Sequence, residues 1–159
     1  MHPSHPVDPA NPTGPAGSVS RERDRFARPV HIGTNRRETG PVIELAPLLG
    51  TWVNFDRTSR GILRAELARA GDALTVRPFG ASDSGLLEWG SAAATVLSDD
   101  VARTRAIGLI AAFDLRFQRV VLYGYVNRGL LTFEAATTFT DDSPRARYLT
   151  RQHFYRLPR

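Results

Sequence analysis

"LLGTWVNFDRTSRG", residues 48–61, is the stretch on which the fold turns. The chain leaves a proline-rich region and begins Gly50-Thr51-Trp52, followed by Asn54, Asp56 and Thr58. Residues 50–56 are rich in β-branched and aromatic side chains, and the Arg-Thr-Ser-Arg that follows is turn chemistry. The stretch reads as the first strand of a small closed β-barrel.

Upstream, residues 1–45 hold seven of the eleven prolines, the mixed-charge run SRERDRFARP and few large apolar side chains. Such a segment buries too little surface to offset its ordering entropy. A largely disordered tail is therefore expected over 1–45, and a barrel domain over 46–159. Within the tail, segment 20–28 reads either as free chain or as a short helix lying on the domain as a lid. His2 and His5 read as isolated side chains rather than as a metal site.

Downstream, β-branched, aromatic and alternating runs recur between turn signals. Eight strands are predicted, at 50–56, 61–69, 73–79, 87–97, 104–114, 119–127, 130–140 and 146–157. Most connections are of hairpin length, with Gly, Asp or Ser where the chain must reverse. No segment after residue 46 has a helical period. Sequential strands on short links pair antiparallel. Closing eight of them removes both sheet edges and leaves room for one small ligand. The expected fold is all-β, an eight-stranded antiparallel up-and-down barrel. A sandwich is the alternative, and it needs longer crossovers than these.

Composition narrows the chemistry. The 159 residues suit one domain. No apolar run approaches the ~20 residues of a membrane span. The N-terminus, MHPSHPVDPANPTGPAG, lacks the basic and apolar regions of a secretory signal, so a cytoplasmic protein is expected. There is no cysteine, which excludes disulfides, thiolate metal sites and cysteine nucleophiles. All 21 basic side chains are Arg, a mark of GC-rich, bacterial coding. The net charge of +5 is dispersed among acids, so an acidic partner is permitted and not demanded. The five Arg within 145–159 lie along one strand without an aromatic platform series, which reads as a solvated face and not a nucleic-acid surface.

A Gly-x-Trp on the first strand of an eight-stranded barrel resembles the calycin superfamily of lipocalins, fatty-acid-binding proteins and avidins. The resemblance implies that Trp52 closes one end of the barrel against an Arg near the end of the last strand, with Arg156 and Arg151 available. It also implies that ELAPLL, just before Gly50, forms a plug. The first strand is most similar to that of avidin and streptavidin, Gly-x-Trp-x-Asn with a Ser four residues on. Here these are Gly50, Trp52, Asn54 and Thr58, so by resemblance Asn54 and Thr58 would orient a polar ligand group. Avidins line their pocket with several further Trp. This chain has only Trp89, with Phe113, Tyr123 and Phe133 as aromatic substitutes. The late-strand Asp of that family has no match; Gln152 and His153 lie in its region. These departures point away from biotin.

Strand alternation supplies the remaining candidates. One face of 87–97 holds Leu87, Trp89, Ser91, Ala93 and Thr95. One face of 130–140 holds Leu131, Phe133, Ala135, Thr137 and Phe139. On 119–127, Val121, Tyr123, Tyr125 and Asn127 alternate with Val120, Leu122, Gly124 and Val126. Aromatic rings mixed with hydroxyls suit a ligand pocket; the alternative is a packed core. Arg77 is a carboxylate or phosphate anchor if it points inward and a surface group otherwise. Asp114 is either a buried base with a raised pKa or a turn residue. His153 lacks a Ser-Asp arrangement, and no metal-ligand spacing occurs. Strands 104–114 and 119–127 are apolar on both faces, which predicts a homodimer through them, with tail coverage as the alternative.

Three functions follow as expectations. The first is a cofactor-free carrier whose barrel holds a small, mainly apolar molecule with polar ends. Trp89, Phe113, Tyr123, Tyr125 and Phe133 would contact the body, and Asn54, Thr58 and Arg77 the polar end. The second is a cyclase or isomerase that folds a flexible substrate. Asp114, Glu88, Tyr123 or Tyr125 would then polarise it, with the N-terminal segment as the lid. The third is a filled barrel that mediates protein contacts.

Overall fold

The computed structural model describes residues 43–158. Expectations for the tail, including the 20–28 lid segment, His2 and His5, lie outside the described residues. The barrel's own structure reaches back to Ile43: Glu44 forms a parallel bridge with Arg105, and Leu45 is buried.

Nine strands form: β1 (Gly50–Asn54), β2 (Ile62–Ala70), β3 (Ala73–Ser82), β4 (Gly85–Glu88), β5 (Ala92–Ser98), β6 (Ala106–Leu115), β7 (Gln118–Asn127), β8 (Leu130–Phe139) and β9 (Tyr148–Arg156). The sheet runs β2-β1-β9-β8-β7-β6-β5-β3-β4, and a β2–β3 pairing closes it. All strand pairs are antiparallel. Strands β4 and β5 share β3 as partner, so they are two halves of one barrel strand, and the barrel is an eight-stranded up-and-down closure. Among the described residues no helix is long and apolar enough to cross a membrane.

The break between β4 and β5 corrects the single strand expected over 87–97. Trp89 N–H donates to the Pro78 carbonyl at 3.0 Å, and Ala92 then pairs with Val76. Gly90 and Ser91 thus stand opposite Arg77 alone, with Gly90 at φ 92°. The extra residue is a β-bulge, and it reverses the face of everything after it. Trp89 stays inward, but Ala92, Ala94 and Val96 turn toward the core, while Ser91, Ala93 and Thr95 are exposed.

On β7 the inward set is Val120, Leu122, Gly124 and Val126; Tyr123 and Tyr125 lie outside. On β8 it is Leu131, Phe133, Ala135 and Thr137. The lower barrel is filled. Phe133 and Phe154 meet edge to face at 5.2 Å between centroids, among Leu67, Leu74, Leu109 and Leu122.

The lower end is closed as the opening stretch implies. Trp52 is fully buried, and its Nε1 donates to the Leu48 carbonyl at 2.8 Å. Leu45 and Leu48 pack beneath it in the turn before β1. The Arg156 guanidinium lies 4.6 Å from the Trp52 ring centre and also donates to the Pro47 carbonyl. Gly50 is favoured there by its φ of +132°, a backbone conformation that other residues rarely adopt.

Candidate functional site

The connections β1–β2, β3–β4, β6–β7 and β8–β9 all lie at the end of the barrel away from Trp52. This end is open. A cavity of about 220 Å³ enters the lumen there, lined by Ile62, Trp89, Val120, Ala135, Thr137, Thr150 and Gln152, with Arg60, Gln118 and Tyr148 at its rim. A second recess of about 430 Å³ lies under the β1–β2 loop, between Asn54, Phe55 and Asp56 on one side and Arg151 and His153 on the other. The two share Arg60, Gly61, Thr150 and Gln152 as a common wall.

Strand geometry explains how these side chains converge. Arg156 stacks on Trp52, so counting back by twos along β9 places Phe154, Gln152, Thr150 and Tyr148 on the inward face. The same count on β8 carries Phe133, Ala135 and Thr137 up the lumen to the rim. Trp89 is set by the bulge, and its ring meets Phe113 edge-on at 6.1 Å.

The polar groups divide into those spent on structure and those facing the cavity. Gln152 Oε1 accepts from Ile62 N–H at 3.1 Å, and its Nε2 donates to the Ser59 hydroxyl. This side chain pins the β1–β2 loop. Asn54 is spent likewise: Nδ2 donates to the Ile62 carbonyl at 2.7 Å, and Oδ1 accepts from Asp56 N–H at 2.9 Å. Thr58 donates its hydroxyl to Asp56 at 2.7 Å. That bond and the Thr58 N–H hold the Asp56 carboxyl below its ordinary pKa. By contrast, the side chains of Thr137, Thr150, Gln118 and Arg60 make no hydrogen bond or ion pair among the described residues, and Thr137 is only 3% exposed.

At the rim, the Arg145 guanidinium stacks between Phe139 (4.1 Å) and Phe117 (4.6 Å) and donates to Asp141. Thr140 N–H donates to the Phe117 carbonyl, so the β8–β9 loop is tied to the β6–β7 turn.

Of the residues singled out in the sequence, Trp89, Phe113 and Phe133 face inward, with Trp89 alone on the cavity wall. Asn54 and Thr58 organise the loop beside the mouth. The others do not converge on the lumen. Arg77 is exposed outside, bound to Glu66 and 3.9 Å from Glu88; the Glu66 hydrogen bond raises its pKa. Glu88 is therefore also an outer group. Asp114 is exposed and held by Arg119 through two hydrogen bonds of 2.8 and 3.3 Å. That cation lowers its pKa, which corrects the alternative of a buried base with a raised one. Tyr123 and Tyr125, both 42% exposed, are on the outer wall because β7 turns its even-numbered residues inward. His153 is also outside, its Nδ1 3.0 Å from the Thr132 hydroxyl. Among the described residues no three His, Asp or Glu side chains are placed to hold a metal.

Sequence reasoning placed Thr137 on a candidate pocket face and left out Arg60, Gln118, Tyr148 and Thr150 as ligand contacts. The signal for Tyr148 and Thr150 was the Arg156–Trp52 pairing, counted back along β9. Gln118 opens β7, where a one-residue shift decides the face, and Arg60 lies in the β1–β2 loop, which strand alternation does not reach.

No family model matches this chain, and neither a curated protein nor a solved structure matches it.

Proposed function

We propose that this protein binds a small amphipathic molecule in the open mouth of its barrel. The ligand's apolar part lies against Trp89, Ile62, Val120 and Ala135, and its polar end reaches Thr137, Thr150, Gln118 and Arg60. The observation that carries this reading is the cavity of about 220 Å³ lined by polar side chains that make no bond of their own among the described residues. Its size, about 220 Å³, lies below the ~300 Å³ lower bound of drug-sized pockets and favours a compact ligand. Binding is favoured over turnover because Asp114, Glu88, Tyr123 and Tyr125, the groups considered for proton transfer, face outward. A distinction from avidins supports a ligand other than biotin: Asn54 and Thr58 are already engaged in the loop.

The outer wall supports pairing of two copies through β6 and β7. Tyr123 and Tyr125 stand half-exposed beside Ile110, Ala112 and Val121, and Leu149 on the same wall is 63% exposed.

Saturation-transfer NMR with indole as the probe tests the binding reading. Indole has one fused ring system and a single N–H donor. The expected result is transfer to indole from the wild-type protein and loss of transfer in Ala135→Leu, which fills the cavity. Absent transfer, or equal transfer in both proteins, refutes it.

A further inference from the structure

The closed end of the barrel carries a separate cavity of about 330 Å³, between the β5–β6 connection, the β7–β8 turn and Pro47. Arg103, Arg105 and Arg128 line it, with Asp99 as the one carboxylate. Asp99 lies 3.8 Å from Arg103. Arg105 and Arg128 form no ion pair or hydrogen bond through their side chains among the described residues. Three arginines thus line a solvent-facing recess with one acid, which gives it a local excess of positive charge.

The framework around these cations is fixed. Arg105 stands opposite Glu44 in the parallel bridge, flanked by Glu44 N–H to the Thr104 carbonyl at 2.6 Å and Ala106 N–H to the Glu44 carbonyl at 3.0 Å. Arg128 occupies the first position of a two-residue turn, at φ 48°, before Gly129 at φ 79°. A turn with both φ values positive favours Asn, Asp or Gly at that first position, and a long side chain there is strained. The turn places Arg128 at the cavity wall. Ile107 and Val126 supply an apolar back.

We infer that this cavity binds a phosphate group through Arg105 and Arg128. A guanidinium fork matches two oxygens of a tetrahedral anion, and two forks without a partner among the described residues match a dianion. Arg103 completes the positive field and exchanges its long contact with Asp99 for the anion. The site is independent of the mouth, since the two lie at opposite ends of the strands and share no residue.

The test is isothermal titration of inorganic phosphate into the full chain at constant ionic strength, with melting temperatures measured alongside. Saturable binding to one site is expected, and phosphate is expected to raise the melting temperature more than chloride at equal ionic strength. Arg105→Ala weakens binding at least tenfold. Arg128→Gly does the same, yet melts no lower than wild type without phosphate, because glycine takes φ 48° freely. Phenyl phosphate distinguishes the sources: tighter binding than inorganic phosphate identifies an organic phosphate lying on Ile107 and Val126, and equal binding identifies free phosphate. No saturable binding, or unchanged affinity in both variants, overturns the inference.

Discussion

A Cβ atom on Gly80 would lie 2.7 Å from Nε1 of Trp89. The indole of β4–β5 lies directly over the bare backbone of β3, and the bulge at Gly90–Ser91 keeps it there. This contact connects a sequence choice to the cavity wall. The ring can occupy the lumen mouth only because its neighbour has no side chain. Gly80→Ala forces the indole or the strand to move, at a cost of about 1–3 kcal/mol for overpacking. The expected result is a lower melting temperature and a shifted Trp emission, with loss of indole binding. Unchanged emission would show that Trp89 is not where this account puts it.

At the other end, Trp52 and Arg156 form the closure. Arg156→Ala removes the cation–π contact, the donor to Pro47 and the stem over Gly50, at an expected cost of about 1–2 kcal/mol. Trp52→Ala removes a fully buried ring and is expected to cost about 3–5 kcal/mol. Urea denaturation of the two variants measures both. Equal, negligible costs would remove the closure from the account.

The outer wall of β7 predicts association. Light scattering after size exclusion is expected to give twice the chain mass for wild type, and the mass of one chain for Tyr123→Glu combined with Tyr125→Glu. Both side chains are outside the core, so the melting behaviour of the separated chain remains cooperative. A wild-type monomer refutes the pairing.

Acid sensitivity follows from three exposed carboxyls. The Thr58 hydroxyl lowers the pKa of Asp56, Arg119 that of Asp114, and the Ser143 hydroxyl, followed by Arg145, that of Asp141. A depressed folded-state pKa stabilises above the unfolded value and loses that stabilisation as pH falls through the folded value. Melting temperature is therefore expected to hold from neutrality down to about pH 4, the ordinary aspartate range, and to fall below it. Asp56→Ala is expected to melt lower at pH 7 and to lose less between about pH 4 and pH 2. A decline that begins near pH 6 would contradict the assignment.

The barrel was legible in the sequence because its signals are local. Gly50-x-Trp52, hairpin turns and β-branched runs each act over a few residues, and closure follows from the need to remove edges. The cavity was less legible, because facing depends on register. One extra residue at Gly90–Ser91 reversed Ala93 and Thr95; Gly90, a glycine inside a strand pattern, was the cue for that bulge. Tyr123 and Tyr125 looked like pocket residues by type, yet Val120, Leu122 and Val126 are as apolar and took the inside. Arg77 and Asp114 read as possible active groups only until their cross-strand partners, Glu66 and Arg119, were placed beside them. Residue type limited the choices, and pairing decided among them.

Native mass spectrometry of the protein purified from its own host, compared with Ala135→Leu prepared in parallel, decides whether the barrel mouth holds a ligand. Wild type is expected to carry a small molecule of defined mass, released on denaturation, and the cavity-filled variant to emerge without it. A wild-type protein that emerges empty, or a variant that carries the same molecule at the same occupancy, would contradict a ligand site in the barrel mouth.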